Sequence, residues 1–251
     1  MKMLMKGTEA IAEAAIRAGC RLYFGYPITP QSELPEYMAK RMPQIKGMFL
    51  QSESEVATVN MIYGAACTGQ RVMTSTSSPG FSLMQEGISY MAGAELPAVF
   101  INVMRGGPGL GDIQPSQSDY FQATKGGGHG DYRMIVIAPY TIQEAADLMG
   151  EAFDLAFKYR MLVTILADGM IGQMMEPVEL PEWKNVDEFS TPDWALTGTE
   201  GRVPRKITSF DINPYELEKM NLRYQATYQK VIENEIRYEE INTKDAELIV
   251  V

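Results

Sequence analysis

Glu55, Arg105, Thr29 and His129 are the side chains whose types and neighbours could do chemistry in this sequence. Glu55 closes the string Ser52-Glu53-Ser54-Glu55 ahead of an apolar run, so it puts a carboxylate at a helix start, where it could move a proton. Arg105 ends an apolar stretch and precedes Gly106-Gly107, which lets backbone come close to a ligand. Thr29 lies in Tyr26-Pro27-Ile28-Thr29-Pro30, and His129 in Gly126-Gly127-Gly128-His129-Gly130. Each has an ordinary reading too. Thr29 suits a helix N-cap followed by a proline at the first helical position. Glu55 suits the return partner of Ser52 in a capping box. Arg105 could be a solvated charge, and His129 a loop histidine.

Other chemistries find little support. Gly107-Pro108-Gly109-Leu110-Gly111 has the wrong spacing for a dinucleotide fingerprint, and no phosphate-loop lysine motif occurs. Gly-x-Ser-x-Gly is absent, which argues against a Ser-His-Asp hydrolase. The formal net charge of −10 disfavours a nucleic-acid partner. Cys20 and Cys67 are the only cysteines and form no Cys-x-x-Cys pair, so one chain cannot supply four thiolates to an iron–sulfur cluster, and a metal site is not expected. Two cysteines in an acidic chain of this size read as a cytoplasmic protein. The start, Met1-Lys2-Met3-Leu4-Met5-Lys6, is too short and polar for a signal peptide, and no apolar run suits a membrane span.

The elements that must position these residues alternate. Helix is predicted over 8–19, strand over Leu22–Phe24, helix from Pro30, strand over Met48–Leu50 and helix from the Ser52 box to Thr68. Strand Arg71–Ser75, helix Phe81–Ala94, strand Pro97–Met104 and a glycine-rich loop from Gly106 to Gln117 come next. Strand Met134–Ile137, helix from Thr141 to Lys158 and strand Met161–Ala167 complete the set. This order predicts an α/β fold with a doubly wound, mostly parallel sheet flanked by helices. Ligands of such sheets bind beyond the strands' carboxyl ends, where Tyr26–Thr29, Ser52–Glu55, Ser77–Gly80, Arg105–Gly111 and Asp168 all fall. Residues 181–245 read as an irregular linker plus a helix from Asn213-Pro214, with Leu217, Met220, Tyr224, Tyr228 and Val231 on one stripe. Residues 246–251 read as an apolar strand.

The string Gly25-Tyr26-Pro27-Ile28-Thr29-Pro30 resembles the leading motif of the α chains of 2-oxoacid:ferredoxin oxidoreductases. Gln51-Ser52-Glu53-Ser54-Glu55 with Gly64-Ala65, the Thr74–Gly80 loop and Arg105-Gly106-Gly107-Pro108 resemble further motifs of that family in order and spacing. The resemblance covers about residues 5–180. It implies a thiamine-diphosphate-binding fold of the pyrimidine type over 1–180, sharing its cofactor with a β subunit. It also implies Mg2+ and iron–sulfur clusters on partner subunits, coenzyme A as co-substrate and ferredoxin as electron acceptor. By the same resemblance Tyr26, Pro27, Ile28 and Glu55 meet the cofactor, and Thr29 and Arg105 hold the 2-oxoacid. Glu55 would contact the aminopyrimidine ring nitrogen and favour the imino tautomer, whose nitrogen can deprotonate the thiazolium carbon. Glu53 is the neighbouring rival. The loop Gly109–Ser116 is closer to branched-chain oxoacid enzymes, such as those acting on 3-methyl-2-oxobutanoate, than to the 2-oxoglutarate type. Family α chains continue into a second α/β domain, and 246–251 would be its first strand. A non-catalytic subunit of such a complex and another thiamine enzyme's pyrimidine domain are the competing readings.

The sequence lacks the Gly-Asp-Gly segment with which thiamine enzymes hold magnesium and diphosphate. The isolated chain is therefore expected to bind thiamine diphosphate weakly by calorimetry, and tight binding by the chain alone would contradict the shared-cofactor reading.

Overall fold

A computed structural model describes residues 2–250 of the chain. It divides into two compact units with the boundary between Ile212 and Asn213. The first unit contains the strands β1 (Met3–Lys6), β2 (Leu22–Gly25), β3 (Met48–Gln51), β4 (Val72–Thr76), β5 (Ala98–Met104), β6 (Ile135–Ile137), β7 (Leu162–Asp168) and β8 (Met175–Val178). Its helices are α1 (Gly7–Arg17), α2 (Glu33–Arg41), α3 (Glu55–Ala66), α4 (Ser78–Leu83), α5 (Gln85–Gly93), α6 (Tyr120–Lys125), α7 (Ile142–Tyr159) and α8 (Gly169–Gln173).

Six strands form a parallel sheet in the order β3-β2-β4-β5-β7-β6, flanked by helices as the alternation predicts. The chain leaves β2 outward to β3 and returns to β4 on β2's other side, so a switch point lies between β2 and β4. β5 is buried along its whole length, which explains its continuous apolar sequence. Its side chains alternate between two cores. Ala98 and Phe100 join Val59 and Ile62 of α3 and Ile88 and Met91 of α5, with the Phe81 ring edge-on to Phe100 at 6.4 Å. Val103 points the other way, toward Thr8 of α1 and Gly172 of α8. Each such apolar side chain contributes about 1.5–3 kcal/mol when fully buried.

α1 is alanine-rich because it is covered on several sides, by α2, α7 and α8. Gly7 opens it where a Cβ would lie 1.8 Å from the Ile171 carbonyl oxygen, so no larger residue fits. Its C-terminal carbonyls are taken up by arginines. Arg21 donates to Ile16 and Cys20, and Arg71 donates to Ala18 and to Asp154 while lying 4.4 Å over the Phe189 ring.

Several elements differ from the sequence reading. The helix expected from Pro30 starts at Glu33. Thr29 is not its N-cap, because the Ile28 carbonyl first closes a turn with the Gln31 N–H and the Thr29 carbonyl accepts from Arg105. The helix expected over Phe81–Ala94 starts at Ser78 and breaks at Met84 into α4 and α5. β1, β8, α6 and α8 were not anticipated; β1 and β8 form a separate antiparallel pair. Residues 181–212 are not a free linker but pack on the first unit. Arg17 donates to the Pro181 carbonyl, Lys184 N–H to that of Arg17, and Leu196 N–H to that of Cys67. The second unit holds α9 (Pro214–Glu235), N-capped by Asn213 as the Asn-Pro start suggests. Within the expected strand, Ala246–Val250 is irregular and Leu248, Ile249 and Val250 are exposed, because a strand needs a ladder partner and none pairs with it among the described residues. Val251 lies outside the described residues. No helix is long and apolar enough to cross a membrane among the described residues.

Glu13 of α1 is buried and accepts from Arg17, from Arg41 and Tyr37 of α2. Burial alone would raise its pKa, but the hydrogen bonds from Arg41, Arg17 and Tyr37 outweigh it and hold the carboxyl below its ordinary value. A depressed folded-state pKa contributes stability present above the unfolded value and lost as pH falls through the folded one. Glu13→Gln is expected to cost about 3 kcal/mol at neutral pH, read as a lower urea midpoint at unchanged slope. The gap to wild type closes as pH falls through Glu13's depressed folded-state pKa; a gap that persists there would mean the loss is one of packing.

Candidate active site

α3 begins at Glu55, one residue after its N-cap Ser54, whose hydroxyl accepts from the Ala57 N–H at 3.1 Å. The capping box read from Ser52 to Glu55 does not form. Ser52 instead donates to the Ser54 carbonyl at 3.0 Å and pairs with the Thr58 hydroxyl, which leaves Glu55 at the first helical position. Glu55 is 4% exposed, whereas Glu53 points to solvent, so burial separates the two acids. No hydrogen bond or ion pair among the described residues reaches the Glu55 carboxylate. It lies against α4 instead. A Cβ on Gly80 would sit 2.5 Å from Glu55 Oε1 and 2.1 Å from Thr76 Oγ1. Gly80 is thus the residue that lets the carboxylate in, and the start of α3 favours its charge.

Arg105, at the end of β5, is also buried. Its Nη1 donates to the Thr29 carbonyl at 2.9 Å and its Nη2 to the Leu110 carbonyl at 2.8 Å, while Nε is buried without a partner. Its backbone N–H donates to the Ser78 hydroxyl at 3.0 Å. The first turn of α4 therefore touches Arg105 through Ser78 and Glu55 through Gly80. The Tyr26–Thr29 turn joins from β2. Gln31 donates to the Tyr26 carbonyl and accepts from Ser75, which bonds the Tyr23 hydroxyl at 2.7 Å. Tyr26 and Ile28 are half-buried; Pro27 and the Thr29 side chain face solvent.

The structure thus links Thr29, Arg105 and Glu55 around α4, with Tyr26, Pro27 and Ile28 on the adjoining turn. His129 is apart from them. It is exposed against α5, its carbonyl accepting from Ser89 and its ring meeting Tyr90 edge-on. Asp168 caps α8 through bonds from Met170 and Ile171. The same carboxyl end holds buried polar atoms without partners among the described residues: Thr74 Oγ1, Thr76 Oγ1, Ser77 Oγ and Asn102 Oδ1. Such groups cost free energy unless something hydrogen-bonds them, so they are groups that a ligand could satisfy. Asn102 was not singled out from the sequence, although a lone amide inside Ala-Val-Phe-Ile-Asn-Val-Met is a readable signal. Gln31 and Asp119 carried no such signal. Among the described residues no group of three His, Cys, Asp or Glu could hold a metal ion.

Residues 13–243 match the family described as pyruvate flavodoxin/ferredoxin oxidoreductase, thiamine diP-binding. The chain is 51% identical over 248 residues to the ketoisovalerate oxidoreductase subunit VorB of Methanothermobacter marburgensis, covering 99% of this chain and 70% of that one. It is 44% identical over 187 residues to the 2-oxoglutarate synthase subunit KorA of Archaeoglobus fulgidus, covering 74% of this chain and 54% of that one. Its fold superposes with a TM-score of 0.79 and 28% identity on a 2-oxoglutarate:ferredoxin oxidoreductase from Magnetococcus marinus with 2-oxoglutarate, coenzyme A and succinyl-CoA bound. That match covers 96% of this chain and 47% of the other, so the chain spans about half of that structure's length.

Two glycines give a paired test of the close approach at Glu55. Gly80→Ala is expected to lower stability by about 1–3 kcal/mol, since both neighbours of the new methyl are buried. Gly64→Ala, in α3 with nothing within 4 Å of its Cβ position, should stabilise the chain by about 0.5–1 kcal/mol. Thermal unfolding of both variants reads the difference, and equal midpoints would show that Glu55 and Thr76 yield freely.

Proposed function

The chain belongs to the thiamine diphosphate-binding family of pyruvate flavodoxin/ferredoxin oxidoreductases, and from that premise we propose that it is the α subunit of a 2-oxoacid:ferredoxin oxidoreductase. The complex oxidatively decarboxylates a 2-oxoacid to acyl-CoA and CO2 and reduces ferredoxin. The observation that carries a catalytic role for this chain is the buried Glu55 carboxylate, without a partner among the described residues, at the start of α3. A protonated ring nitrogen is a fitting partner for it, and the unpartnered hydroxyls of Thr76 and Ser77 supply further polar contacts of the kind an aminopyrimidine takes. Glu55 holds the proton on that nitrogen, and Tyr26, Pro27 and Ile28 border the ring. Thiamine diphosphate, when bound, supplies the electron sink that decarboxylation needs. Arg105 takes the oxoacid carboxylate by its planar fork, beside Thr29.

The β subunit holds the diphosphate with Mg2+, and partner subunits carry the iron–sulfur clusters; two cysteines here cannot ligate one. Coenzyme A accepts the acyl group, and the complex works in the cytoplasm. Exposed Val56 and Leu83, close in sequence to Glu55 and Gly80, suit a surface that a partner subunit covers. The substrate is a branched-chain oxoacid such as 3-methyl-2-oxobutanoate. A second carboxylate would need a second cation, whereas residues 106–119 carry Asp112 and Asp119 with no lysine or arginine. The likeness to a 2-oxoglutarate enzyme keeps 2-oxoglutarate as the second reading.

Glu55→Gln separates this reading from that of a non-catalytic subunit. Glutamine is nearly isosteric, so folding and assembly should survive. It cannot stabilise a protonated nitrogen by charge, so oxoacid-dependent dye reduction by the assembled complex should fall on the order of 10²-fold or more. Exchange of the thiazolium C2 proton should fall with it. Rates within a few-fold of wild type in a folded complex would assign the chemistry to other residues.

A further inference from the structure

Asp119 stands at the N-cap of α6 yet makes no bond to that helix through its side chain. Aspartate at an N-cap ordinarily accepts from its own first turn. Here one oxygen, Oδ2, accepts instead from the Ser78 hydroxyl at 2.6 Å and from Asn102 Nδ2 at 2.9 Å. Those two donors belong to α4 and to β5, the strand that leads into Arg105. Ser78 carries one hydroxyl proton, and the 2.6 Å contact to the Asp119 carboxylate takes it over the 3.3 Å contact to the Arg105 carbonyl. The lone pairs of Ser78 are thereby left for the Arg105 N–H, which donates to them at 3.0 Å. The result is a directed chain from Arg105 N–H to Ser78 to Asp119, of the kind in which each bond strengthens the next.

Asp119 also closes the loop that Arg105 opens. The loop turns back on itself through the bridge of Arg105 with Pro115 and the bond of Gly106 N–H to the Gln114 carbonyl. Its Leu110 carbonyl holds Arg105 Nη2. Asp119 ties the far end of this loop to α4 and β5, alongside the Pro115 bridge and the Gln117 bond to Asp168, so it bears on both the backbone Arg105 grows from and the loop carbonyl it rests on.

We propose that Asp119 is a positioning residue for the 2-oxoacid, acting through Ser78, Asn102 and the 106–118 loop to fix the Arg105 guanidinium. This rests on the reading of Arg105 as the arginine that meets the substrate carboxylate.

The test is a mutant cycle in the full-length subunit within the assembled complex, with 3-methyl-2-oxobutanoate and coenzyme A varied separately. Asp119→Ala is expected to raise the KM for the oxoacid about tenfold and to leave the KM for coenzyme A unchanged. Asp119→Asn should recover most of the loss, because its amide oxygen can accept both bonds. In an Arg105→Ala background, Asp119→Ala should add nothing further. A full additional loss in that background would overturn the positioning role while leaving Arg105 as the substrate residue. So would an equal rise in both KM values, or an Asn variant as poor as the Ala variant. An Arg105→Ala enzyme with an unchanged oxoacid KM would overturn the substrate reading and this proposal with it. Should Asp119→Ala fail to assemble, Ser78→Ala cuts the same chain from its other end and is read by the same criteria.

Discussion

Enclosing the Glu55 side chain to 4% exposure with no bonded partner for its carboxylate among the described residues costs free energy, and the carboxyl end of the sheet is arranged around that cost. The first turn of α3 offsets part of it, since unpaired backbone N–H groups at a helix start favour negative charge. Ser54 takes over the capping that Glu55 would otherwise perform, which leaves the carboxylate free of its own helix. Gly80 yields the space, and buried β4 behind it keeps Thr76 from moving away. Arg105, joined to α4 as Glu55 is, makes no ion pair with Glu55 among the described residues. Its fork is occupied by the carbonyls of Thr29 and Leu110. An ion pair between the two would neutralise both charges; left unpaired with each other, each keeps its capacity to meet a charged group.

The two ends of the sheet differ in how well their polar groups are satisfied. At the amino end Arg21 and Arg71 take up carbonyls of α1, and Asp154 receives both Arg71 and Lys184. Asp154 is held below its ordinary pKa because the Lys184 and Arg71 bonds outweigh the effect of burial. The stretch 181–212 packs on the ends of α1 and α3 as a strap. At the carboxyl end, by contrast, hydroxyls and an amide are buried without partners among the described residues. Stability given up where buried polar groups go unpaired has to come from elsewhere in the fold, and the bonded amino end contributes to it.

What the sequence disclosed follows the same division. The sheet was legible because its inner strands are buried on both faces, so that β5 and β7 read as continuous apolar runs bounded by helices; Ala98–Met104 is the clearest. The positions of Glu55 and Arg105 were legible because ligand sites of parallel sheets fall beyond the strand ends. Local capping rules misled at both Thr29 and Ser52, where a side chain or carbonyl finds a tertiary partner that the local pattern cannot show: Arg105 for the Thr29 carbonyl, Thr58 for Ser52. β1 and β8 were missed because each has four residues and its pairing partner lies far along the chain. Asp119 was missed because nothing in Ser118-Asp119-Tyr120 distinguishes a helix cap from a residue turned toward another strand.

The manner in which Arg105 is held bears on how it can serve a substrate. Its two bonds go to neutral backbone carbonyls, each worth about 0.5–1.5 kcal/mol net. A carboxylate bound by two parallel N–H groups offers about 1.5–3 kcal/mol per bond. Exchange of a carbonyl for an oxoacid carboxylate is therefore favourable, whereas exchange of an existing carboxylate partner would not be. The unpartnered Nε lies on the side of the guanidinium that, with Nη2, presents two parallel donors. A carboxylate meeting Nε and Nη2 would satisfy Nε in exchange for the Leu110 carbonyl, while the Nη1 bond to Thr29 could stay. The Leu110 carbonyl, once released, lies in a loop with positive φ at Gly109 and Gly111, which lets the backbone there rearrange at little conformational cost. Weak tethers on a buried arginine thus keep the guanidinium ordered and leave it free to exchange a carbonyl for a carboxylate.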